Sequence, residues 1–130
     1  MNFGVDNMSK IFKLDEAEKV ENLGERTMYW LVNQTLGASR MRVVVYDFEP
    51  NLSFDKVHYH DDRESVYFIM EGEAIVHLNG KEHTLGPSSV AYLSSKDIHG
   101  VVGTGPEGLK MLEAWTPAAR DTTYLDRPTV

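Results

Sequence analysis

Short runs of alternating apolar and polar residues, broken at close intervals by turn-forming residues, make up most of the chain. The breaks fall at Leu36-Gly37, Glu49-Pro50-Asn51, Glu71-Gly72, Asn79-Gly80, Gly86-Pro87, Gly100, Gly103 to Pro106 and Thr116-Pro117. Between them the pattern predicts strands at Thr27–Asn33, Met41–Phe48, Val66–Met70, Glu73–Leu78, Lys81–Leu85, Ser89–Leu93, Ile98–Val102 and Leu109–Trp115. Evenly spaced short strands with punctuating turns specify an all-β sandwich or barrel. The strongest local signal is Asn79-Gly80, because both residues tolerate the positive φ of a type I′ hairpin turn. One short helix is expected over Leu14 to Leu23, with Asp15-Glu16 in its first turn and Gly24 as its stop. On this reading residues 1–24 are a lead segment, 25–117 the barrel and 118–130 a polar tail packed loosely on the barrel or a partner.

Composition narrows the chemistry. With 13 basic and 20 acidic side chains the net charge is −7, which argues against a nucleic-acid binder and against docking on anionic membranes. The absence of cysteine removes disulfides, thiolate catalysis, zinc ribbons and iron–sulfur ligation, leaving histidine and carboxylate as the strong metal ligands. The longest apolar runs, such as Val43-Val44-Val45-Tyr46, are far too short to span a bilayer. Met1 to Lys13 lacks the continuous apolar core of a signal peptide, so a cytoplasmic location is expected.

The pair His58-Tyr59-His60 carries the most specific chemistry. On a strand, residues i and i+2 project from the same face about 6.5–7 Å apart, so two imidazoles converge on one ion and a neighbouring strand supplies a third ligand. Glu64 follows four residues after His60, and His99 stands at the start of a predicted strand. Three imidazoles with a carboxylate suit manganese, iron, nickel, cobalt or zinc. The plainer alternatives are a solvated charged loop at Asp61-Asp62-Arg63-Glu64 and a core histidine at His99. His77 and His83 flank the Asn79-Gly80 turn and read as exposed or partly buried.

The stretch from His58 to Glu73 resembles the first motif of the cupin superfamily: HxH, three or four residues, Glu, six residues, Gly. Gly86 through His99 is similar to the second motif, which ends in histidine, and the likeness spans about Thr27 to Pro117. It implies a double-stranded β-helix, or jelly roll, with a metal ion in its mouth, and His58, His60 and His99 as ligands. The fourth ligand is ambiguous. Glu64 fits the count from His60, but seven residues separate it from Gly72, and counting back from Gly72 the ligand position falls on Ser65. Period-two alternation makes Ser65, Tyr67 and Ile69 face inward and Glu64 outward, unless a bulge re-aims it. Leu52 replaces the glycine usual before the first histidine, Ser94 and Lys96 stand where the second motif has Pro and Gly, and Gly103 stands where it has Asn.

Tyr46, Tyr67, Ile69, Met111, Glu113 and Trp115 are candidates for lining the barrel, and Tyr67, Arg42 or Glu113 for orienting a substrate or moving a proton; as catalytic residues we single out Tyr67 and Glu113. A site of three histidines, with or without Glu64, leaves coordination positions open, the mark of a catalytic centre. The resemblance implies a metal-dependent enzyme (iron, manganese, nickel or zinc) acting on a small oxygenated organic molecule, of dioxygenase, isomerase, cyclase or lyase type. The alternative from another class is a non-catalytic small-molecule-binding or sensor module. Small cupins resemble dimers, so a homodimer is expected, with Thr27–Asn33 as an edge or swapped strand.

Overall fold

The computed structural model describes residues 9–21 and 23–128. Nine strands form among them: β1 (Glu18–Val20), β2 (Arg26–Val32), β3 (Arg42–Phe48), β4 (Lys56–His60), β5 (Glu64–Leu78), β6 (Lys81–Leu85), β7 (Val90–Leu93), β8 (His99–Thr116) and β9 (Thr122–Asp126). All pairings are antiparallel. The fold is the all-β double-stranded β-helix expected, and among the described residues near the N-terminus the helical content is one 3-10 turn, Leu14–Glu16. The longer helix over Leu14 to Leu23 does not form. The segment has acidic residues at its start but no apolar stripe to bury, and Glu18–Val20 instead pairs with β2. Among the described residues no helix is long and apolar enough to cross a membrane.

Two long strands organise the roll. β5 and β8 pair along nearly their whole length, from Glu64↔Thr116 to Leu78↔His99. The first part of β5 and the last part of β8 belong to one layer, flanked by β7 and by β3, β2 and β1. Their other parts belong to the second layer, flanked by β6 and by β4 and β9. Between the layers sit Phe48, Tyr67, Ile69, Ala74, Val76, Leu93, Leu109 and Met111, and burying a side chain such as Ile69 stabilises the fold by on the order of 2 kcal/mol.

The bend that carries both strands from one layer to the other lies where the sequence suggests turns. Glu71-Gly72 and Gly103 to Pro106 do not end strands; they lie within β5 and β8, where the register shifts between Ile69 and Glu71, Gly72 and Ala74, and Ile75 and Val76. Such bulges bend a strand without ending its ladder. Gly72 (φ +76°) and Gly108 (φ +82°) face each other at this bend, and a Cβ on Gly72 would lie 2.1 Å from the Gly108 carbonyl oxygen.

Three further expectations change. The polar segment beyond Pro117 contributes β9, whose residues are all exposed and whose ladder with β4 runs from Lys56↔Asp126 to His60↔Thr122. The Thr27–Asn33 segment is not an edge, because β1 and β3 flank β2 on both sides. His77 is buried, unlike the exposed His83: its Nε2 accepts the Gly80 N–H at 3.0 Å and caps the Asn79-Gly80 turn. Both turn residues have the positive φ their types allow.

Gly72→Ala is expected to destabilise the fold by at least about 2 kcal/mol, combining a left-handed backbone with a backbone clash. Urea unfolding measures this, and a loss below 0.5 kcal/mol, the range of ordinary surface substitutions, would contradict it.

Candidate metal centre and cavity

β4 presents His58 and His60 on one face, and His58 is the register partner of His99 at the start of β8. The ring centroids are 4.4 Å apart for His58 and His99, 5.0 Å for His58 and His60, and 5.3 Å for His60 and His99. One ring nitrogen from each lies within 4.8 Å of the other two. The structure therefore brings together the three imidazoles picked from the sequence.

Hydrogen bonds orient two of the three rings. His99 Nδ1 lies 2.9 Å from the Asp97 carbonyl oxygen, so it carries the proton and donates. The Asp97 carboxylate is pinned in turn by the Ser94 N–H at 2.8 Å and the Asn79 amide at 2.9 Å. His60 Nδ1 lies 3.3 Å from the Asp121 carbonyl oxygen and 3.3 Å from the Thr122 hydroxyl. Outer partners of this kind orient a ligating imidazole; His60 Nε2 also accepts from Arg63 Nη1 at 3.3 Å. His99 Nε2 is buried with no hydrogen-bond partner, an arrangement that costs about 1–3 kcal/mol unless something occupies it.

Burial disfavours charge on all three rings. Desolvation, then the neighbouring His99 and His60, pushes His58 down to about 3. Desolvation and Arg63 take His60 to about 4, and desolvation lowers His99. At neutral pH the site thus offers neutral imidazoles, the form that binds a cation. The donor set fits a divalent ion.

Glu64 is not part of it. The side chain is exposed and accepts a hydrogen bond from the Tyr92 hydroxyl at 2.6 Å on the outer face. β5 runs in unbroken register from Glu64 to Ile69, with its first shift only after Ile69, so no bulge re-aims Glu64. Ser65 faces inward, 3% exposed, with no partner for its hydroxyl.

Beside the histidines lies a cavity of about 290 Å³, lined by Tyr46, Tyr67, Met111, Glu113 and Trp115 among others. Ile69 does not reach it and packs in the core. Arg42 also fails to reach it, donating instead to the Ala38 and Met41 carbonyls. Glu113 is buried and accepts the Tyr46 hydroxyl at 3.0 Å. Desolvation holds its carboxyl up at about 7 against the opposing pull of Tyr46, Arg63 and Arg26. Burial, followed by the Glu113 charge, raises Tyr46 and Tyr67 well above the usual phenol range, so both stay neutral donors.

Among the lining residues that escaped the sequence reading are Arg26 and Arg63. Arg63, read as loop, is 9% exposed. Its guanidinium carbon lies 5.0 Å from the Trp115 ring centroid. Nη1 reaches His60 Nε2 at 3.3 Å and Nη2 donates to the Ala119 carbonyl at 3.1 Å. Extending the alternation of Ser65, Tyr67 and Ile69 one step upstream would have turned it inward. Arg26 is the register partner of Phe48, another lining residue.

A family model described as "Cupin domain" matches residues 44–115. The oxalate-binding protein of Thermotoga maritima is 26% identical over 99 residues, covering 73% of this chain and 82% of the relative. The structure of KdgF from Halomonas sp. superposes with a TM-score of 0.71 at 16% identity, covering 86% of this chain and 96% of that one. The polyketide cyclase RemF from Streptomyces resistomycificus gives 0.74 at 23% identity, covering 95% and 88%. The two structural likenesses establish the fold.

Acid stability reports on these groups in chelator-treated protein. His58 and His60 take up protons more readily when unfolded, so their contribution is present above pH 6.5 and lost as pH falls through about 4 and about 3. Glu113 acts oppositely: between 4.5 and about 7 the folded chain keeps a proton the unfolded chain has released. Glu113→Gln is therefore expected to steepen the loss of urea stability between pH 6.5 and 5, and an unchanged slope would contradict the assignment.

Proposed function

This chain belongs to the cupin domain family, and on that premise we propose that it is a metal-dependent enzyme acting on a small oxygenated organic molecule by proton transfer, as in isomerisation, cyclisation or elimination. The observation that carries this reading is the buried, unpartnered Nε2 of His99 converging with nitrogens of His58 and His60. These three residues would hold the ion. When bound, an ion of the iron, manganese, nickel or zinc class supplies Lewis acidity toward a substrate oxygen, with coordination positions left for it.

The chain's own residues do the rest. Glu113, balanced near neutrality, exchanges a proton at its carboxyl oxygens as general acid or base. Tyr46 holds that carboxyl in place through its hydroxyl. Tyr67 offers a neutral phenol to orient a substrate oxygen, and Met111, Phe48 and Trp115 narrow the cavity against water. Glu64 has no part in this scheme.

A second reading is a non-catalytic small-molecule-binding module, favoured by the Thermotoga relative named for oxalate binding. Turnover separates the two. The protein is further proposed to act as a homodimer, with the exposed apolar side chains Phe68, Val90 and Tyr92 facing the second copy; a monomer mass by light scattering would refute it.

Elemental analysis of protein purified without added metal is expected to find about one divalent ion per chain. Replacing His99 with Ala should weaken its retention by more than about 100-fold, beyond the 10–100-fold typical of outer-shell partners. Glu113→Gln should keep the ion and lower kcat by about 10²–10⁴ against a panel of uronates, keto acids and enolisable carbonyl compounds. Full retention of the ion by the His99 variant, or undiminished turnover by the Glu113 variant, would sink the corresponding assignment.

A further inference from the structure

We propose that the cavity's ligand is a small carboxylate anion, gripped by the Arg63 guanidinium with Arg26 as a second cationic contact. This deepens the reading above and rests on it for the identity of the site. The cavity wall is charged. Arg26, Arg63 and Lys56 line it, against Glu113 as the acidic residue. Lys56 is already paired with Asp126. Among the described residues, no carboxylate forms a salt bridge with Arg63 or Arg26, and Nε of each is buried without a partner.

Burying a guanidinium with no carboxylate in salt-bridge contact is unfavourable, and Glu113 and Asp121 support the Arg63 charge only from a distance. The acceptors Arg63 does have are neutral, a ring nitrogen at 3.3 Å and a backbone carbonyl at 3.1 Å. Its planar fork, stacked over Trp115, matches the two oxygens of a carboxylate better than any single acceptor. Ser65, the inward-facing alternative to Glu64 for the fourth ligand, adds no negative charge. Neutral imidazoles do not offset an ion's charge either, so the ligand is left to supply the anion. At about 30 Å³ of liquid volume per water, a cavity of about 290 Å³ admits a ligand of roughly ten non-hydrogen atoms.

Isothermal titration calorimetry on the full chain tests this with lactate against lactamide, malonate against malonamide, and inorganic phosphate, with ion content measured on each sample. Carboxylates are expected to bind at least about tenfold more tightly than their amides, as the loss of a charged hydrogen bond implies. Arg63→Gln should remove that preference at unchanged ion content, and Arg63→Lys should restore it in part. Equal affinity for acids and amides, an unaltered preference in Arg63→Gln, or tighter binding of phosphate than of any carboxylate would overturn the proposal. Should Arg63→Gln unfold through loss of its Ala119 contact, Arg26→Gln and the acid–amide comparison on the unaltered chain decide it. If the unaltered chain holds no ion, the preceding reading fails. The acid–amide comparison on that ion-free protein then still decides the anion assignment, since neither arginine is a metal ligand.

Discussion

The antiparallel ladder between β5 and β8 is the frame on which the site is built. Ser65 and Tyr67 stand on one strand of this pair, Glu113 and Trp115 on the other, and Tyr67 pairs in register with Glu113. His99 begins the same β8, at the far end of the ladder, and β4 hangs from it at the His58↔His99 pair. The histidines and the cavity acid can meet only because both strands bend together. That bend exists because Gly72 and Gly108 allow two backbones to approach where neither could carry a side chain.

One physical cause, exclusion of water, produces opposite effects on the groups that line the interior. It strips protons from the imidazoles and keeps them on Glu113, Tyr46 and Tyr67. The result is a set of neutral imidazoles facing a set of neutral donors across one small space. Such a division between ligands and proton carriers comes from dielectric environment as much as from residue type.

Much of this was legible in the sequence because period-two alternation survives wherever one face of a strand is buried. His58 and His60 were readable on that basis, as were Ser65 and Tyr67 pointing inward. The two motif counts for the fourth ligand disagreed, and alternation was the better guide, since it places Glu64 beside Tyr92 on the outer face. Applied one residue further, it would have found Arg63, whose charged neighbours Asp61 and Asp62 suggested a loop. β9 left no pattern to read. Neither face is buried, so its place rests on backbone hydrogen bonds to β4 that composition does not encode. Gly72 and Gly103 to Pro106 announce unusual backbone but not where the chain goes next, and here it bends and continues as strand.

The lopsided support of β4 has a bearing on the order of assembly. This strand shares one register pair with β8 but five with β9, and residues 121 and 122 also hold the His60 ring. A chain emerging from the ribosome can close most of its roll before β9 exists, yet the histidine strand lacks its main neighbour until then. The geometry of the histidine cluster is thus completed only when β9 pairs with β4.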